Sequence, residues 1–315
     1  QVALHFPRST MNDSFTIFAG RANVALATSV AVEMGARLGA CSVERFPDGE
    51  LSVRLDEPVR GREVFIIQPT SPPVNDHLIE LLAFADACRR ASAAHVTAVM
   101  PYFGYSRADK RHGRREPITA SMVADMMQAV GVDHVVTIDL HAPQIEGFFH
   151  IPVDSLTAAS VMVEALRPGL PAETVVVSPD AGRVRMATEY ARLLGATVAV
   201  LHKERASGVE TRVTRLVGDV RDRPCLIIDD MISTGGTIVE SVEALLDAGA
   251  RPEITVAATH GLLLHGAREK LSRPETRKIL VTDTVAPPAH DWPQLRVVSI
   301  APLIASALRR FQADG

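Results

Sequence analysis

The chain has 315 residues, about twice the usual domain size of ~150 residues, so two domains or one large α/β domain are the natural organisations. Apolar residues make up 47%, charged residues 22%, and the net charge is −4, which excludes disordered and fibrous classes and the strong positive field of a nucleic-acid polymer binder. No apolar run approaches the ~18 residues of a membrane span and no charged start with an apolar core marks a secretory signal, so a cytoplasmic protein with no membrane partner is expected.

The first dozen residues, QVALHFPRSTMN, carry little periodicity and read as a loose extension. Short β-branched runs then alternate with helical patterns. TIFAG is followed by Leu26, Val30, Met34 and Leu38 at i+4 spacing; EVFIIQ by a helix over 75–91; HVTAVMPYF by a helix over 118–130; then comes HVVTIDL. A second series repeats the grammar: TVVVSPD, a helix through Met186 and Leu193, ATVAVLHK, CLIIDD, a helix after Thr237, EITVAATHG, KILVTDT and LRVVSIA. This alternation predicts βαβ units and parallel sheets. The stretch 151–156 separates the two series. The expected domains are therefore 13–153 and 154–301, with a terminal helix within 302–315 packing back on the first. Cys41, Cys88 and Cys225 are widely spaced, with no neighbouring Cys or His at zinc-ligand intervals, and read as reduced packing residues.

In a doubly wound sheet, ligands sit beyond the carboxyl ends of the strands, so the residues after each apolar run are the ones to inspect. The strand CLII leads into Asp229 and Asp230, then Ser233, Thr234, Gly235, Gly236 and Thr237 before a helix. A glycine-containing loop at a helix N-terminus suits a phosphate, and hydroxyls add donors. The two carboxylates repel a phosphate and need hydroxyls or a metal as partners, which a sugar phosphate supplies. No GK[ST] follows and no GxGxxG opens a helix after a strand, so this is neither a P-loop nor a dinucleotide fingerprint.

The motif instead resembles the sugar-diphosphate loop shared by type I phosphoribosyltransferases and ribose-phosphate diphosphokinases. Six further colinear stretches resemble the diphosphokinases alone: RFPDGE at 45–50, PYFGYSRADKR at 101–111, REPITA at 115–120, DLHAPQIEGFF at 139–149, SPDAGRV at 178–184 and HKER at 202–205. The resemblance runs from about residue 16 to the last helix. It implies two similar phosphoribosyltransferase-like α/β domains, each a mainly parallel sheet flanked by helices. It also implies transfer of the diphosphoryl group of ATP to the 1-hydroxyl of ribose 5-phosphate.

By that resemblance Lys203 and Arg205 are catalytic, Arg205 also contacting the ribose phosphate or the transferring group. ATP recognition falls to Phe46, Asp48, Gly49, Glu50, Arg107, Ala108 and Asp109. Ribose 5-phosphate falls to Arg205, Asp229, Asp230 and the loop Ser233, Thr234, Gly235, Gly236 and Thr237. His141 and Asp180 would hold magnesium or its waters. A lone His after a strand, read by itself, is more often a hydrogen-bonded structural residue; only the resemblance makes His141 a metal ligand. In the family the RFPDGE loop reaches into a neighbouring subunit's site, so a homo-oligomer is implied, a dimer at least and a hexamer by usual assembly.

Three positions depart from the commonest family pattern: Ser233 where an acid is commonest, Ala108 in place of a polar residue, and Arg183 where many members have Gly and others Arg. Two rivals are a phosphoribosyltransferase, which would need a hood for a nucleobase, and a catalytically silent regulatory homologue, which lost charge at Lys203, Arg205 or Asp229 would favour; all three charges are present.

Overall fold

The structure is a computed structural model that describes residues 14–111, 113–205, 211–289 and 291–313, and the side chains of 203–205, 211–214 and 312–313 lie outside that description. The expected N-terminal extension also lies outside it. By density of contacts the chain divides into two compact units, one of residues 1–137, 142–154 and 304–315, the other of residues 138–141 and 155–303.

The first unit is built from β1 (Phe15–Ala19), α1 (Val24–Glu33), β2 (Cys41–Arg45), β3 (Leu51–Leu55), β4 (Glu63–Ile67), α2 (Val74–Arg90), β5 (His95–Met100), α3 (Thr119–Val130), β6 (His134–Ile138) and β7 (Val153–Leu156). The sheet runs β1-β4-β5-β6-β7, with β1, β4, β5 and β6 parallel. The middles of its central strands are apolar because both faces are covered, as the fully buried Ile17, Phe65, Ile66 and Ile67 show. Each such side chain gains roughly 1.5–3 kcal/mol by leaving water. Asn23 starts α1 by accepting a hydrogen bond at its side chain from Leu26 N at 3.1 Å.

One sequence expectation is corrected here. The i+4 pattern through Leu38 overruns α1: Leu38 leaves the helix and bridges to Ile17, and Gly39 N donates to Ile17 O at 2.7 Å. RFPDGE is the turn that joins β2 and β3 into an antiparallel ribbon apart from the main sheet.

The second unit contains α4 (Ala159–Leu166), β8 (Val175–Ser178), α5 (Val184–Leu194), β9 (Thr197–Arg205), β10 (Thr211–Val217), β11 (Cys225–Ile232), α6 (Gly236–Asp247), β12 (Ile254–Gly261), α7 (Ala267–Leu271), β13 (Thr276–Thr282) and β14 (Leu295–Val298). Its sheet runs β10-β9-β8-β11-β12-β13-β14, parallel except for the β9/β10 hairpin. The chain leaves β8 towards β9, then returns to the other side of β8 at β11. That reversal is the topological switch at which open α/β sheets place ligands. All eight residues of β11 are buried, as befits the central strand of a sheet covered on both faces.

The last helix, α8 (Ala301–Ala313), buries Ile304 and Leu308. Its Phe311 meets Phe65 of β4 edge-on at 6.0 Å between ring centroids, and Phe65 in turn lies 6.0 Å from Phe15. No helix among the described residues is long and apolar enough to cross a membrane.

Candidate active site

Asp229 and Asp230 are the last acids of an apolar strand but do not end it: β11 continues through Ile232. β8 pairs with β11 only over Cys225–Ile227, so the acids come just after that pairing, beside the exit of β8. At that exit Asp180 turns the chain. Its Oδ1 accepts hydrogen bonds from Gly182 N at 2.7 Å and Arg183 N at 3.1 Å and starts the short 3-10 turn that leads into α5.

Arg183 then reaches back across the strand ends. Its Nε stands 3.0 Å from Asp230 Oδ1 and 3.4 Å from Asp229 Oδ1. Its Nη1 donates to His141 O at 2.9 Å, and its Nη2 lies 2.7 Å from His141 Nδ1. His141 Nδ1 also lies 2.7 Å from Asp230 Oδ2. A ring nitrogen serves only one of these partners at a time, donating to the carboxylate or accepting from the guanidinium. A bond to an ionised carboxylate is the stronger of the two, which favours the tautomer with its proton on Nδ1.

The pair is nearly dry: the side chains of Asp229 and Asp230 are 10% and 3% exposed. Burial raises the carboxyl of Asp229, and the adjacent Asp230 raises it further, against the pull of Arg183. Burial opposes ionisation of Asp230 too. The hydrogen bond from His141 and the charge of Arg183 outweigh it and hold Asp230 below the usual carboxylate range. Two adjacent acids are thereby pushed apart, one kept as an acceptor and the other harder to ionise.

His141 is held in place from behind. Asp139, two residues earlier, takes the left-handed φ of +40°. Its Oδ2 accepts from Thr259 Oγ1 at 2.6 Å and Ala158 N at 3.1 Å, while its carbonyl faces His260 Nε2 at 3.3 Å. A non-glycine residue pays for that φ, and the three partners over-determine it. Sequence reading gave Asp139, Thr259 and His260 no role; their signal is tertiary.

Beyond β11, Ser233 is half-buried and Thr234 and Thr237 are exposed at the mouth of the loop. Ser233 O accepts from Leu264 N at 2.8 Å, which pins the loop to the segment after β12. Gly235 precedes α6 with φ +79°, and a Cβ there would come 3.0 Å from Leu271 Cγ. Glycine brings no side-chain acceptor to the helix start, so the N–H groups of the first turn suit an anion.

The remaining predicted residues fall elsewhere. In the first unit Phe46, Asp48, Gly49 and Glu50 form the exposed tip of the β2/β3 ribbon, closed by Phe46 N to Glu50 O and Gly49 N to Phe46 O, each 2.9 Å. Arg45 at its base pairs with Asp76. Arg107 is exposed and Ala108 half-buried; both line a cavity of about 620 Å3 with Pro73, Asn75, Tyr102 and Tyr105. Tyr105 hydroxyl donates to Asn75 Oδ1 across it. Asp109 is buried and accepts from Gln144 Nε2 at 2.5 Å. Lys203 and Arg205 lie in β9, and their side chains are outside the described part.

Among the described residues no three His, Cys, Asp or Glu side chains are grouped as a metal-ligand set. The carboxylates nevertheless fit magnesium, which takes oxygen donors and usually needs one or two carboxylates beside substrate phosphates and water. Asp180 acts electrostatically on Asp229, so three acids share the β8/β11 end. Arg183 now stands against two of them.

Residues 15–131 match the family described as the N-terminal domain of ribose phosphate pyrophosphokinase, and residues 210–314 the phosphoribosyl synthetase-associated domain. A ribose-phosphate pyrophosphokinase of Maricaulis maris is 44% identical over 301 residues, covering 95% of this chain and 97% of the relative. The chain belongs to the ribose-phosphate pyrophosphokinase family. The Thermotoga maritima pyrophosphokinase is 42% identical, with 96% of each chain covered. The crystal structure of phosphoribosylpyrophosphate synthetase from Mycobacterium smegmatis superposes with a TM-score of 0.90 at 41% identity, over 96% of this chain and 100% of that one. The α/β fold expected from the sequence is therefore the family fold, and the chain is an enzyme of this class.

Proposed function

We propose that this pyrophosphokinase transfers the β,γ-diphosphoryl group of ATP to the 1-hydroxyl of ribose 5-phosphate, giving 5-phosphoribosyl 1-diphosphate and AMP for nucleotide biosynthesis. The observation that carries the reading is the buried Asp229–Asp230 pair leading directly into the Ser233–Thr237 loop at the head of α6. The 5-phosphate takes the loop hydroxyls and the helix N–H groups. The carboxylates accept from the ribose hydroxyls, an arrangement that fixes the sugar at both ends and positions its 1-hydroxyl.

ATP occupies the first unit's cavity, with Tyr102 and Tyr105 as apolar walls and Arg107 as a cation for the phosphates. Phe46, Asp48, Gly49 and Glu50 contribute from the ribbon tip and, as the family resemblance implies, from a neighbouring subunit of a homo-oligomer. Lys203 and Arg205 on β9 follow the negative charge of the transferring group. In-line displacement at phosphorus asks for positioning and charge neutralisation more than for covalent help.

Magnesium, held by Asp180 with His141 nearby, would neutralise and orient the phosphate oxygens. The reaction belongs to the cytoplasm in this reading, with no nucleic-acid polymer as partner. The test is to incubate the purified protein with ATP, ribose 5-phosphate and magnesium and to follow nucleotides. AMP must appear only when both substrates are present; ADP as the product, or no AMP, removes the proposal.

A further inference from the structure

Among the described site residues, Arg183 is a group whose chemistry the proposed reaction does not use, and every nitrogen of its fork faces a partner. Nε faces Asp230 and Asp229 at 3.0 and 3.4 Å, Nη1 faces His141 O at 2.9 Å, and Nη2 faces His141 Nδ1 at 2.7 Å and Nε2 at 3.3 Å. Its side chain is only 15% exposed, and its own backbone N–H is tied to Asp180 Oδ1 at 3.1 Å. A guanidinium bonded in this way is oriented by the fold, unlike a surface arginine that finds partners by chance.

Two adjacent carboxylates with almost no solvent need a cation, because an uncompensated buried charge is strongly unfavourable. Arg183 supplies a single positive charge to a cluster that also feels Asp180. A divalent ion would be the other way to satisfy the same acids. The two compete for them: a divalent ion beside these acids repels the guanidinium, and Asp230 Oδ1 already has Arg183 Nε at 3.0 Å. The ring nitrogens of His141 are covered by the same guanidinium, so an ion there meets it as well.

We propose that Arg183 is an internal cation that holds the carboxylates and His141 in the metal-free site, and that metal binding must displace it. Arg183 thereby sets the metal demand of the enzyme. It is a specificity-determining residue for the cation and for the order of loading, since the arginine leaves the acids as the metal arrives. If the closed arginine contact is favoured about tenfold over an open one, the apparent metal affinity is lowered about tenfold, because only the open fraction binds. The inference rests on the proposed function for its use of magnesium, but its test needs neither ATP nor ribose 5-phosphate.

The experiment compares Mn2+ binding to the substrate-free full chain and to Arg183→Ala and Arg183→Lys, read from the free-ion electron paramagnetic resonance signal, with Mg2+ as competitor. Arg183→Ala is expected to bind Mn2+ about tenfold or more tightly than wild type, with Arg183→Lys between them. Should the alanine variant fail to fold, the side-chain Nε–H resonance of Arg183 in the wild type gives the same information. It is expected to be protected from exchange without metal and to lose that protection on Mg2+ addition. Equal or weaker Mn2+ binding by a folded Arg183→Ala protein, no Mn2+ binding by either, or an Nε–H signal indifferent to Mg2+ overturns the proposal. Failure to form AMP from the substrates would count against the proposed reaction alone.

Discussion

Gly235→Ala tests the phosphate cradle, because it changes the loop backbone and leaves every charged group in place. Gly235 has φ +79°, and an alanine in the left-handed region costs roughly 1–2 kcal/mol. The new methyl would lie 3.0 Å from Leu271 Cγ and 3.2 Å from both its methyl carbons. Leu271 is buried at 1% exposure, so it yields little, and overpacking of this kind adds roughly 1 kcal/mol. The sum, roughly 2–3 kcal/mol, is felt where the loop meets the first turn of α6. If half of it is relieved by twisting the loop out of register, the KM for ribose 5-phosphate rises about tenfold; if all of it is, about a hundredfold. The assay is the initial rate of AMP formation with ribose 5-phosphate varied at saturating ATP. The KM for ATP should stay within about twofold of wild type. Gly195→Ala is the control, since Gly195 has φ +72° but open space around its Cβ position: it carries the backbone cost without touching the cradle. A folded Gly235→Ala enzyme with an unchanged KM for ribose 5-phosphate would refute the assignment of this loop to the 5-phosphate.

Lys203→Ala is expected to lower turnover by about three orders of magnitude or more with an unchanged circular dichroism spectrum, as loss of a charge that tracks the transition state does; comparable turnover would remove Lys203 from the mechanism. Burial pushes the thiols of Cys88 and Cys225 up to about 12, so at pH 8 only about one in ten thousand of each is thiolate. An aromatic disulfide reagent should therefore titrate at most Cys41 promptly in the native protein, and all three cysteines after denaturation; prompt native reaction of a second thiol contradicts that burial. Burial also lowers the His260 imidazole below its usual value, against the pull of Asp230 and Asp139. The unfolded chain thus takes up a proton below pH ~6.5 that the folded chain refuses, so stability is full above that pH and falls as pH drops through it, by at most ~1.4 kcal/mol per pH unit. Urea midpoints at pH 7.5 and 5.5 check this: His260→Asn should flatten part of the acid loss, and an unaltered slope assigns it to other groups.

Where an element is buried on both faces, its sequence speaks plainly. EVFII, HVTAVM, CLIID and EITVAA are apolar runs because helices cover both sides of a parallel sheet, and each is a strand. Elements that carry little burial were silent. CSVER and LSVRL alternate weakly and hold exposed charges, and their pairing depends on the turn between them. TRVTRLV forms the edge strand β10, which a hairpin partner positions more than its own pattern does. Residues 151–156 separate the two series of strands and helices, yet 153–156 is β7, and the division between the two units falls within that strand. In the site, the residues chosen for following apolar runs, His141, Asp180, Asp229 and Asp230, do come to one end of the second sheet, because strand ends are the part of an α/β chain that topology gathers. Arg183 was visible only as a departure from many members of the resembled family. Its contacts join segments 42 and 47 residues away from it in sequence, and no local pattern encodes them.

The central claim is that two phosphates move together from ATP to the sugar. ATP labelled distinguishably at its β and γ phosphorus atoms, incubated with ribose 5-phosphate, magnesium and the purified protein, tests it in one separation of products. The account predicts both labels on 5-phosphoribosyl 1-diphosphate and unlabelled AMP in equal amount. The γ label alone on the sugar, with the β label retained in ADP, would contradict it.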